Sequence, residues 1–99
     1  ILKPKIFLAQ LGDLAKKRCL VVFEEFRRAG IPIQASFGRD SIKSQLRIAN
    51  RVGVKFTLIL GQKEAIAGNI ILRDMESSIQ ETLRLDNIVE EVRKRLREK

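Results

Sequence analysis

Two apolar runs in this 99-residue chain end on side chains able to do chemistry. Leu58-Ile59-Leu60 leads into Gly61-Gln62-Lys63-Glu64, and Ile70-Ile71-Leu72 leads into Arg73-Asp74. Ionised Glu64 offers only acceptors, Arg73 offers a planar fork of donors, and the Gln62 carboxamide offers both. At the ends of stiff strands such groups are held more accurately than on a free loop, which suits recognition of a hydrogen-bonding ligand. A glycine-led turn with a lysine after a strand also raises a phosphate loop. The Walker pattern needs two glycines followed by Lys-Ser or Lys-Thr, and dinucleotide binding needs three glycines opening a helix. Neither spacing is present, so residues 61–64 taken alone read as a bare, hairpin-like connection.

A second group of residues is defined by charge. Arg39, Lys43, Arg47 and Arg51 recur every four residues, which draws one basic stripe along a helix and its entry. With Lys55, residues 39–55 hold five basic residues against Asp40, a net +4 and half of the chain's formal +8. Like charges four apart disfavour a helix by roughly 0.2–0.5 kcal/mol per pair, a cost that an adjacent polyanion removes. Lys43, Arg47, Arg51 and Lys55 are therefore the candidate phosphate contacts. The later run Arg93-Lys94-Arg95 with Arg97 and Lys99 is interleaved with Glu90, Glu91 and Glu98. Helix-dipole complementarity explains it without a ligand.

Composition excludes several chemistries. The chain has no histidine and a single cysteine, Cys19, so neither a thiol–imidazole pair nor a zinc cluster can be assembled. Cys19 is expected in the core. No apolar run approaches the roughly 20 residues that span a bilayer, so no membrane partner and a reducing, cytoplasmic location are expected. A sequence pI near 10.3 favours a polyanionic partner.

The elements that must position these residues follow from periodicity. Ile6 to Leu11 is a continuous apolar strand; Gly12-Asp13 offers a turn and an N-cap, and Ala15, Cys19, Val22, Phe26 and Ala29 form the inner stripe of a helix. Residues 31–35 make a short strand, and Asp40 or Ser41 caps a second helix with Ile42, Leu46 and Ala49 inward, ending near Gly53. Residues 55–60 form the third strand. This alternation predicts a parallel sheet. Asn69 to Arg73 follows after too few residues for a helical crossover, so it runs antiparallel. Ile79, Leu83 and Leu85 alternate with polar residues as in a strand with one wet face, and Asp86 caps a last helix, 87–97. The expectation is a three-layer α/β domain with a mixed five-stranded sheet and three helices. Because the chain opens at Ile1 and Lys3-Pro4-Lys5 reads as a linker, residues 1–4 are expected to trail from a longer protein and residues 5–99 to form the domain.

Ala9-Gln10-Leu11-Gly12, Ser41-xx-Ser44-Gln45-Leu46-xx-Ala49-Asn50, Leu58-Ile59-Leu60-Gly61-xx-Glu64 and Arg73-Asp74-Met75, in this order and spacing, resemble the C-terminal anticodon-binding domain of histidyl-tRNA synthetases. Threonyl, prolyl and glycyl enzymes share that domain, and Ser78-Ile79-Gln80-Glu81 is closer to the histidyl branch. A departure is Ser77-Ser78, where many relatives carry glycine. The resemblance implies a mixed five-stranded domain that reads the anticodon loop of a transfer RNA at one end of its sheet. Carried over position by position, the base-reading residues would be Arg39, Glu64 and Arg73, with Gln62 beside them. It implies no catalytic residue, metal or cofactor in this domain, whereas the parent ligase would use ATP and Mg²⁺. The parent would be a homodimer and the isolated domain a monomer. Two other readings stay open at this stage: a paralogue domain serving protein interaction or dimerisation, and a small flavodoxin-like or nucleotide-handling enzyme.

Overall fold

The computed structural model describes residues 3–38 and 40–97. Its strands are β1 (Ile6–Leu11), β2 (Ile33–Ala35), β3 (Phe56–Gly61), β4 (Asn69–Asp74) and β5 (Gln80–Arg84). Its helices are α1 (Asp13–Arg28), α2 (Ile42–Val52), α3 (Gln62–Ala67) and α4 (Ile88–Arg97), with one 3₁₀ turn at Leu85–Asn87. The sheet order is β2-β1-β3-β4-β5. β1 pairs in parallel with β2 and β3, while β3–β4 and β4–β5 are antiparallel.

The topology follows from where the apolar residues lie. β1 and β3 are buried at five of six positions, as strands covered on both faces must be. Since β2 flanks β1 on one side and β3 on the other, crossovers of one hand place α1 and α2 on opposite faces. α1, α3 and α4 bury Cys19, Val22, Phe26, Ala65, Ile88 and Val92 against Ile6, Leu8, Leu58, Ile70 and Leu72. On the other face α2 packs Ala49, Ile42 and Leu46 against Phe7, Ala9 and Ile59, with Ile71 and Met75 at the margin.

Several local expectations are corrected. The connection after β3 is a helix, α3, so the domain has four α-helices rather than three. Glu64 closes its first turn by accepting from the Gly61 N–H at 3.1 Å, and Gly68 ends it in the left-handed conformation. Gly12, not Asp13, occupies the N-cap of α1. Ser41 caps α2, its hydroxyl accepting from Ser44 N–H at 3.1 Å. Asp86 caps nothing: it sits inside the 3₁₀ turn and pairs with Arg84 at 3.5 Å. Ile79 is 67% exposed in the turn before β5 instead of lying on its inner face. In that turn Ser78 takes a left-handed φ of 66° while Ile79 O accepts from Asp74 N–H at 2.9 Å. Leu83 and Leu85 do reach the core.

Candidate nucleic-acid interface

The carboxyl ends of the three parallel strands converge on one edge of the sheet, where the neighbours β1 and β2 lead to helices on opposite faces, α1 and α2. This is the position at which open α/β sheets hold ligands. Leu11 and Gly61 are register partners there. Gly12 has a φ of 113°, a conformation that side chains rarely adopt, and a Cβ on it would push aside the Gln62 carboxamide that packs over it. Gln62 is exposed and Glu64 half-buried beside it. One Glu64 oxygen caps Gly61, which fixes the carboxylate at this edge.

Beside these turns a pair of glutamines braces the entry to α2. Buried Gln45 donates to Gln10 O at 2.7 Å and to Asp40 O at 2.9 Å, and accepts from Gln10 N–H at 2.9 Å. Gln10 in turn donates through Nε2 to Ser36 O and Gly38 O, each at 3.1 Å. Ser36, Gly38 and Asp40 are thereby tied to the end of β1. Arg39 lies outside the described residues.

Arg73 is elsewhere. It pairs in register with Thr57, near the start of β3, whereas Glu64 follows the end of β3. Four strand residues separate Thr57 from Gly61, roughly 13 Å. The expectation that Glu64 and Arg73 share one end of the sheet is therefore corrected, because an antiparallel strand ends at the edge opposite its neighbour's end. No single base can meet both groups.

The structure instead sets Arg73 against α2. A groove of about 370 Å³ is lined by Lys43, Leu46, Arg47, Asn50, Arg73, Met75 and Ser78. Leu46 and Met75 give it an apolar floor and the cations and amide a polar rim, the composition of a ligand-binding cleft. Asn50, Leu46 and Met75 were not legible as site residues one by one. Asn50 does carry a signal, since it stands at i+7 from Lys43 and shares its face of the helix. Arg51, one step further round α2, is exposed and does not line the groove.

Lys55 belongs to a third place, at the opposite edge from Glu64. With Lys3, Pro4, Lys5, Gly53 and Leu96 it lines a groove of about 290 Å³, and its Nζ stands 5.5 Å from the Phe56 ring centre. Nearby, Asp74 accepts from Ser77 N–H at 3.1 Å and Glu76 N–H at 2.9 Å. The Ser77 and Glu76 bonds, with Lys55 close by, hold its carboxyl below the usual range. Lys43 and Arg47 thus fall together with Arg73, while Glu64 with Gln62, Arg51 and Lys55 each stand apart. Among the described residues there is no group of His, Cys, Asp and Glu able to hold a metal, and no helix is long and apolar enough to cross a membrane.

The profile of the anticodon binding domain family matches residues 5–95. The chain belongs to this family. A histidine–tRNA ligase of Dehalococcoides mccartyi is 37% identical to the domain over 93 residues, 94% of this chain and 22% of that protein. Histidyl-tRNA synthetase from a Nostoc species superposes with a TM-score of 0.87 at 26% identity, covering 96% of the domain and 23% of that structure. The apo S. aureus histidyl-tRNA synthetase gives a TM-score of 0.82 at 29% identity, over 90% of the domain and 23% of that structure. The domain therefore spans about a fifth of the length of these relatives, and a mixed five-stranded sheet is their shared framework for it.

Proposed function

We propose that the domain binds the anticodon loop of a histidine transfer RNA and positions that RNA for a catalytic domain outside this chain. The observation that carries the reading is the groove between α2 and β4, where Arg73 meets Lys43, Arg47 and Asn50 over an apolar floor. RNA sequence is read on unstacked bases, whose faces need an apolar seat and whose edges need directional donors and acceptors. Lys43 and Arg47 supply phosphate contact, and Arg73 reads a base edge or an adjacent phosphate. Glu64, with Gln62 beside it, serves a different nucleotide, since a carboxylate suits the N1–H and N2–H donors of guanine, present at two of three histidine anticodon positions. Arg51 and Lys55 add to the positive field of the domain.

The domain itself takes no cofactor in this reading; a parent histidine–tRNA ligase, cytoplasmic and homodimeric, uses ATP and Mg²⁺ elsewhere. One observation favours protein contact on the opposite face. Val21 and Ile66, 61% and 71% exposed, line a second groove of about 410 Å³ with Arg18, Glu25, Arg84 and Asp86. Titration of the chain with matched and scrambled anticodon stem-loops at two salt concentrations tests the RNA reading. Preference for the matched loop, with a log–log salt slope of roughly −2 to −3 for three or four phosphates, is expected. Equal binding of both loops defeats it.

A further inference from the structure

Arg73 is not alone on its face of the sheet. Gln80 on β5 is its register partner, so the two side chains rise from neighbouring strands on the same side. Arg73 Nη1 donates to Gln80 Oε1 at 2.8 Å. A guanidinium has only donors, so the amide must turn its oxygen toward Arg73 and its NH₂ outward. No choice of amide orientation is left. Next to the groove that Arg73 lines, the pair then presents guanidinium N–H groups and carboxamide N–H groups side by side.

We infer that Gln80 is a specificity-determining residue, forming with Arg73 a donor-only edge that takes guanine by its O6 and N7. This rests on the reading that the domain holds an RNA loop. Guanine is the base whose O6/N7 edge carries two adjacent acceptors, whereas adenine offers N7 beside an N6 donor there. Unstacked bases in loops are read on that edge as well as on the Watson–Crick edge. A phosphate would also accept from such an edge. A neutral amide adds no charge in a groove already holding Lys43, Arg47 and Arg73; what it adds is direction, which discriminates bases. Thr82, the register partner of Ile71, is exposed along the same face, so a base can approach over β4 and β5 without displacing a helix.

The test uses the chain with Gln80→Ala and Gln80→Glu, against stem-loops carrying guanine, 7-deazaguanine or adenine at each anticodon position. Gln80 is exposed on an edge strand, and thermal melts verify that both variants fold. The unchanged chain is expected to lose about tenfold in affinity when one loop guanine lacks N7. In Gln80→Ala that difference disappears. In Gln80→Glu one carboxylate oxygen stays with Arg73, the other becomes an outward acceptor, and preference at that position moves from guanine toward adenine. Two results overturn the inference while the RNA reading stands. One is no change in the N7 dependence. The other is an equal loss on guanine and 7-deazaguanine loops with a shallower salt slope, which marks a phosphate contact. If the unchanged chain binds matched and scrambled loops alike, the RNA reading fails and the inference with it; that result is visible before any variant is made.

Discussion

The side chain of Gln45 stands in for a missing strand beside Gln10. β2 pairs with β1 only as far as Leu8, and above that point the Gln10 N–H and C=O are met by the Gln45 carboxamide at 2.9 and 2.7 Å. Both residues are buried, so a lost partner leaves polar groups without water.

Gln45→Leu is accordingly expected to destabilise the fold by about 2–4 kcal/mol, since it orphans Gln10 N–H, Gln10 O and Asp40 O together. Urea denaturation measures this as a lowered midpoint. A loss under about 0.5 kcal/mol, the range of ordinary surface changes, contradicts the role given to it.

Cys19 is fully buried in the core under α1, and burial pushes its thiol up to about 12 from an ordinary 9.0. The thiol should resist alkylating reagents in the folded chain and react on addition of denaturant. The linkage sign is fixed by the raised value. Its contribution to stability is complete below 9.0 and falls as pH rises toward 12, at up to about 1.4 kcal/mol per pH unit. Cys19→Ala should remove that alkaline sensitivity, which denaturation at neutral and alkaline pH would show.

The turn before β5 makes two opposite predictions. Asp74 is held below its ordinary value of 3.8 chiefly by the Ser77 N–H, so its contribution is present above that value and disappears as pH falls through the lower folded one. Asp74→Asn should therefore weaken the fold near neutrality and make no difference in strong acid. Ser78→Gly should strengthen it by about 0.5 kcal/mol, because relief of the left-handed φ outweighs glycine's extra freedom when unfolded. Thermal melts of both variants across pH decide the matter.

Glu64→Gln keeps an acceptor for the Gly61 N–H, since either residue closes a capping box, yet removes the charge offered to a base. It is expected to weaken matched loops by about 1–3 kcal/mol with little change in stability. Lys43→Ala with Arg47→Ala should weaken matched and scrambled loops alike and reduce the salt slope by roughly 1.4 in magnitude, two phosphates at about 0.7 each. Combining Glu64→Gln with Arg73→Ala gives losses that add within about 0.5 kcal/mol, as sites this far apart should. Strong coupling in that cycle would place both groups on one base and contradict the register.

The sheet was legible because burial on both faces writes itself into β1 and β3 as unbroken apolar runs, and the brevity of the 61–68 connection made β4 antiparallel. α3 was not legible, since six residues cannot display a 3.6-residue period; its signals were Gly61, Glu64 and Gly68 at cap spacing. Ser78 resolves the departure noted in that turn, as serine takes the backbone conformation glycine would favour. The basic stripe was visible in its four-residue spacing, but which of its members faces a groove depends on the packing of α2 on β3 and β4. Glu64 and Arg73 looked adjacent because each closes a strand, and only the pairing of Thr57 with Arg73 shows that those closures face away from each other. The Gln10–Gln45 brace spans 35 positions and leaves no local trace.

The β3–β4 ladder also works as a ruler. From Lys43 to Arg51 helix α2 climbs roughly 12 Å, nearly the roughly 13 Å of β3 between Thr57, the partner of Arg73, and Gly61, where Glu64 is anchored. An RNA loop held as proposed would be gauged by its span as well as its letters: one too taut or too slack to bridge the gap would lose a contact even when each base, taken singly, is correct.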